Sequence, residues 1–130
     1  MKKIGELRDS FVELLKLDTD IRKIIIKESS FKQHLIKRNH HNVLKYYDQL
    51  VDIISVPDYV GVNPRETGMS FELVKRLEDN VLVAIKLDVK NDYFYVATMH
   101  EISELKIEQR TKNGRLVEFD KKIINGIMEL

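Results

Sequence analysis

The sequence predicts an α+β fold, with N-terminal helices packed on an antiparallel β-meander, and three observations carry that expectation. Apolar residues recur at helical spacing as far as about residue 55, and they alternate with polar ones from 69 to 99. Between the two regimes, residues 57–68 (PDYVGVNPRETG) hold both prolines and two of the five glycines, a composition that interrupts regular structure.

Taken in order, Ile4, Leu7, Phe11, Leu14 and Leu15 form one stripe of a helix over residues 3–16. Ile21–Lys27 (IRKIIIK) is short and β-branched, hence a strand. Ser29-Ser30 offers an N-cap for a second helix from Phe31. Leu44, Tyr47, Val51 and Ile54 prolong a helical stripe to Ser55, where Pro57 forces the preceding residue out of the α region. Residues 57–68 then make a long loop or edge segment. Met69–Glu78, Val81–Lys90 and Asp92–Met99 read as strands joined by Asp79-Asn80 and Asn91-Asp92, pairs that tolerate the positive φ of tight turns. Val81, Val83, Ile85, Leu87 and Val89 line one face of the middle strand. Ile102–Lys112 is a short helix or irregular segment stopped by Asn113-Gly114, and Ile123, Ile124, Ile127 and Met128 mark a last helix at about 120–129.

One domain accounts for all 130 residues, since a chain of this length builds a single core. It holds 43% hydrophobic and 33% charged residues, as ordinary globular proteins do. Zero cysteines exclude disulfides, thiol nucleophiles and thiolate metal sites, which suits a reducing cytoplasm. Neither a signal peptide nor a membrane-spanning run is expected from the charged, amphipathic start and the short apolar stretches. No GxGxxG, P-loop, GxSxG or HExxH motif is present, so no nucleotide cofactor, serine hydrolysis or zinc proteolysis is indicated.

A net charge of +1 looks unfavourable to nucleic-acid binding, but it is unevenly spread. Between Lys27 and Lys45 five basic residues face one acid, a local +4 that leaves −3 for the rest. His34, His40 and His41, three of the four histidines, fall in the same stretch. On one continuous helix over 31–41, His34, Lys37, Arg38 and His41 share a face beside the apolar anchors Phe31 and Leu35. Such a face suits a phosphate: Arg offers a bidentate fork, Lys a point charge and His a proton near neutral pH. Against this stands the ordinary fate of a basic helix face, which is to be solvated surface. His34 and His41 are no tight ligand pair and no carboxylate lies at ligand spacing, so no metal site is expected.

Phe31–Gly61 (FKQHLIKRNHHNVLKYYDQLVDIISVPDYVG) resembles the phage-associated branch of the barnase/EndoU/colicin/RelE-like nucleases. The matching elements are His34, Lys37 with Arg38, His40 or His41, the apolar helix around Leu50–Ile54, and Pro57-Asp58-Tyr59; downstream, NVLVAIKL and YFYVATMHEIS are similar to the family's sheet, so the likeness runs from about Ile21 to Arg110. Asn39 before a His pair departs from the pattern and leaves open which of His40 and His41 fills the second position. The resemblance implies helices on a sheet of about four antiparallel strands and a metal-independent endoribonuclease of phage or mobile-element, toxin-like kind. Its chemistry would transfer the scissile phosphate to the 2′-hydroxyl, with His34 and one of His40 and His41 moving protons and Arg38 and Lys37 holding the phosphate. Ser70, Thr98 and Ser103 are secondary candidates as donors to a non-bridging oxygen, although for Ser70 and Thr98 the ordinary reading, a strand residue with a satisfied hydroxyl, is the stronger one. The partners implied are RNA, tRNA included, and a cognate inhibitor protein.

Two other classes compete. A non-catalytic module would bind RNA or protein through the same basic helix, and the lack of any identifiable carboxylate orienting a histidine favours it. A scaffold domain would instead expose Ile123, Ile127 and Met128 of its last helix to a partner.

Overall fold

The β-branched run around residue 25 organises the molecule. In the computed structural model, which describes residues 2–66 and 68–119, it forms β2 (Lys23–Ile26), and Ile24, Ile25 and Ile26 are all fully buried. A strand covered on both faces needs hydrogen-bond partners on its edges too. One edge is taken by β1 (Lys2–Glu6), antiparallel, and the other by β6 (Tyr93–Glu101), parallel over Ile24–Phe94 and Ile25–Tyr95.

This corrects the expected helix over residues 3–16. Its first part is β1, with an irregularity between Lys3 and Gly5, and only Asp9–Leu15 is helical (α1). Gly5 is a poor helix residue, and as a strand the segment satisfies the outer edge of β2. Helix α1 ends with Lys16 at φ 54, where the Leu17 N–H reaches back to the Val12 carbonyl at 3.0 Å.

The rest of the sheet is β3 (Tyr59–Gly61), β4 (Ser70–Arg76), β5 (Asn80–Asp88) and β7 (Leu116–Glu118), in the order β1-β2-β6-β5-β4-β3-β7. The antiparallel meander β4-β5-β6 lies where alternation places it. The expectation of about four antiparallel strands nevertheless falls short: among the described residues the sheet has seven, and β2 runs parallel to β6. The added strands β1, β3 and β7 span three to five residues, too few to display a period, and exist because neighbouring strands supply their ladders. Thus β3, inside the segment expected to be loop or edge, lies between β4 and β7. Pro57-Asp58 leads into it, and Asp58 secures the corner by accepting the Arg76 N–H at 2.7 Å.

The helical stripe after Phe31 breaks into three pieces: α2 (Glu28–Lys37), a 3-10 segment (His41–Gln49) and α3 (Leu50–Ser55). Helix α2 begins before the serines proposed to cap it, and Lys27 holds the cap position. Helix α4 (Glu104–Lys112) starts at Ser103, whose Oγ accepts the Lys106 N–H at 3.2 Å, and ends at Asn113 before Gly114 at φ 83. The helix expected at about 120–129 lies outside the described residues.

Alternation along the strands gives the sheet two unlike faces. One carries Phe71, Leu73, Val81, Val83, Ile85, Phe94, Val96 and Met99 into the main core with Phe11, Phe31, Leu35, Leu50 and Ile53 from the helical elements. Burying side chains of this size stabilises by roughly 1.5–3 kcal/mol each before entropy is counted. On the other face Val74 and Leu82 pack with Ile102, Ile107 and Leu116 in a smaller cluster beneath α4, which leaves part of that face uncovered.

Candidate active site

A β-bulge prepares the open face. Ala84 pairs with Thr98 but Ile85 pairs with Val96, so Ala97 is an extra residue on β6. Phe94, Val96 and Met99 all enter the main core, which directs Tyr95, Ala97, Thr98 and His100 to the opposite side. Beside them stand Leu82, Ala84 and Lys86 of β5 and Glu72 of β4. Parallel pairing with β2 stops at Tyr95, and α2 packs against β6, bringing its C-terminal end to the same place.

That end is a Schellman turn. Asn39 takes φ 59, its N–H donates to Ile36 O at 3.1 Å, and the His40 N–H donates to Leu35 O at 2.7 Å. Asparagine enters the left-handed region more readily than most side chains, so Asn39, the odd residue of the motif, is the helix stop. The turn corrects the picture of one helix over 31–41. His40 folds back over the sheet, whereas His41 starts the 3-10 segment as an exposed residue.

The result is a 330 Å³ cleft lined by His34, Arg38 and His40 from the α2 end, Lys86, Thr98 and His100 from the sheet, and Glu72, Arg110 and Arg115 opposite. Of the residues singled out in the sequence, His34, Arg38, His40 and Thr98 meet here. Lys37 and His41 are exposed outside it, and Ser70 is buried with no partner for its Oγ among the described residues. Ser103 caps α4 and lines a separate, acidic recess with Glu78, Asp79, Glu101 and Glu104.

His100, Lys86, Glu72, Arg110 and Arg115 were not singled out as site residues. Alternation along β6 places Thr98 and His100 on one face and is a usable signal for His100. The others depend on strand register and on the position of α4, which local pattern does not encode.

Three imidazoles share the cleft. The His40 and His100 ring centroids are 5.3 Å apart, with the planes at 36°. His100 Nδ1 lies 2.8 Å from the Glu101 carbonyl, an oxygen that only accepts; this contact assigns the proton to Nδ1 and leaves the Nε2 lone pair free. Burial, above all, pushes the His100 pKa down, and charge on His40 and Arg110 adds to this while the Glu101 carbonyl and Glu72 oppose it. The His34 pKa is also lowered, first by burial and then by Arg38, His40 and Lys86. Both rings are therefore held toward the neutral form, the state that accepts a proton.

Glu72 is 5% exposed and receives Arg115 through Nε at 2.9 Å and a terminal nitrogen at 2.8 Å. Arg110 approaches the other carboxylate oxygen at 3.7 Å, and its Nη1 is buried without a hydrogen-bond acceptor. Burial and the charge of Arg115 lower the Arg110 pKa, with Glu72 opposing. One carboxylate thus holds two guanidiniums whose remaining donors are available to an anion. Lys86 makes an exposed ion pair with Glu66 at 3.3 Å. Among the described residues no three His, Asp or Glu side chains converge as a metal site.

Two of the tyrosines have structural partners. Tyr46 donates to Asp79 Oδ2 at 2.5 Å and accepts the Asp79 N–H at 3.0 Å, pinning the β4–β5 turn, and Tyr59 accepts from Arg76 at 3.1 Å.

Imidazoles, guanidiniums and a lysine gathered on one face of a sheet, whose other face is closed by helices, define a small α+β protein of nuclease type. The chain belongs to the phage-Barnase-EndoU-ColicinE5/D-RelE like nuclease 3 family, PBECR3, whose model matches residues 2–109. The match takes in β1 and α1 as well as the His34–His40 segment and the bulged strand, and stops just before Arg110. No curated protein and no solved structure matches the chain. Among the described residues no helix is long and apolar enough to cross a membrane.

Proposed function

We propose that the protein is an endoribonuclease that cleaves RNA, tRNA included, by transfer of the scissile phosphate to the neighbouring 2′-hydroxyl. The single observation behind this proposal is the convergence of His34, His40 and His100 with Arg38 and Thr98 in one cleft. Such a reaction needs a base for the 2′-hydroxyl, an acid for the departing 5′-oxygen and positive charge for the phosphorane. His34 is the base, because burial and its cationic neighbours favour its neutral form. His40 is the acid, its ring centroid 5.3 Å from that of His100, which burial holds toward the neutral form. Arg38 and Lys86 bind the phosphate, and the Thr98 hydroxyl donates to a non-bridging oxygen. The scheme draws on no metal. The phage-associated family supports a toxin-like or mobile-element role in which a cognate inhibitor protein restrains the cleft.

The test is incubation with tRNA and total RNA in EDTA across about pH 5–9, where imidazoles titrate. The expected products carry 2′,3′-cyclic phosphate ends, and His34→Ala and His40→Ala abolish cleavage while retaining the fold. Absence of cleavage throughout that range overturns the scheme. Salt-sensitive RNA binding without cleavage selects the second reading, a non-catalytic RNA- or protein-binding module, which the engagement of Arg110 and Arg115 by Glu72 favours.

A further inference from the structure

A second groove, of 690 Å³, runs between α2 and the β5–β6 hairpin and adjoins the cleft, with His34 and Ala97 lining both. Its walls combine two unlike chemistries. Half-buried Tyr95, which shares a face with Thr98 because of the bulge between them, and Val89, 77% exposed, are apolar or aromatic surface. Lys27 and Lys90 are exposed cations at the rim, and neither is ion-paired among the described residues. The acid of the groove, Asp88, is occupied in its own turn, where Oδ2 accepts from Asn91 Nδ2 at 3.0 Å.

We infer that this groove is a subsite for the nucleotide next to the scissile linkage of a single-stranded polynucleotide, its base against Tyr95 and Val89 and its phosphate between Lys27 and Lys90. An aromatic platform with unpaired lysines alongside is how single strands are held without base pairing. The inference rests on the nuclease proposal in one respect: His34, shared by both cavities, is where the strand passes from subsite to reacting phosphate. A duplex would bring its bases stacked and paired, so the subsite selects unpaired segments.

Binding of a fluorescent, mixed-sequence 2′-O-methyl RNA oligomer, which lacks the attacking hydroxyl, measures the subsite apart from catalysis. Tyr95→Ala and Tyr95→Leu are expected to weaken binding about tenfold, the loss of one stacked base. Lys27→Ala/Lys90→Ala is expected to weaken binding and to flatten the log K against log salt slope by about 0.7, one single-strand phosphate contact. Lys3→Ala/Lys112→Ala, which removes as much charge from residues outside both cavities, is expected to bind as the unaltered chain does. Unchanged affinity in the lysine pair, whose exposed side chains leave the core intact, overturns the inference, as does failure of the unaltered protein to bind the oligomer. Binding by the unaltered protein, lost in these variants but without cleavage of the all-ribose oligomer, supports the subsite and counts against the catalytic scheme alone.

Discussion

His40 and His100 face each other with ring centroids 5.3 Å apart, although sixty residues separate them in the chain. His100 is anchored through Nδ1 to the Glu101 carbonyl and held toward neutrality by burial.

The pH dependence of stability follows from His34 and His100. Both pKa values are depressed in the folded protein, so between those values and the ordinary one near 6.5 the unfolded chain binds more protons. Stability is therefore complete above about pH 6.5 and declines as the pH falls through the folded values. The urea midpoint is expected to fall between about pH 7.5 and 5, and less steeply in His100→Gln. Glu28, Asp79 and Asp88, whose pKa values are lowered mainly by side-chain hydrogen bonds, add stability that is complete above about pH 4.5 and is lost as the pH falls further.

The turn at Asn39 sets the direction of His40. Asn39→Gly keeps the left-handed conformation and is expected to leave cleavage near its original level. Asn39→Val forces a β-branched residue into that region, costs about 1–2 kcal/mol and displaces His40. Urea denaturation with the RNA-cleavage assay checks this: Asn39→Val loses far more activity than its stability loss explains.

Glu72 is the buried anion shared by two half-buried arginines. Glu72→Ala leaves Arg110 and Arg115 without their anion and is expected to cost about 3 kcal/mol, read as a lower denaturation midpoint. Glu72→Gln retains the shape and one acceptor and is expected to cost less.

Gly61 lies where β3 passes close to β7. A Cβ there would fall on the Arg115 carbonyl and crowd the Leu116 side chain. Gly61→Ala is expected to destabilise by about 1–3 kcal/mol and to loosen β7, with faster amide exchange at Leu116.

Much of the site's first half was legible locally. Phe31 and Leu35 at helical spacing orient α2, and the basic residues with His34, Arg38 and His40 between and after them could be read as a phosphate-seeking surface. Choosing His40 over His41 required the Asn39 turn, because a helix face drawn through residue 41 assumes that the helix continues.

By itself the sequence determined the α+β class, the β4-β5-β6 meander, the absence of thiol chemistry and the concentration of charge and histidine around α2, since periodicity and composition are local properties. Tertiary structure decided the rest. It paired β1, β3 and β7 because the open ladders of neighbouring strands must be satisfied. It inserted the Ala97 bulge that turns Tyr95, Thr98 and His100 to one face, and it folded α4 so that Arg110 and Arg115 close on Glu72. Register and long-range charge pairing join residues far apart in the chain, and no window of sequence contains both partners.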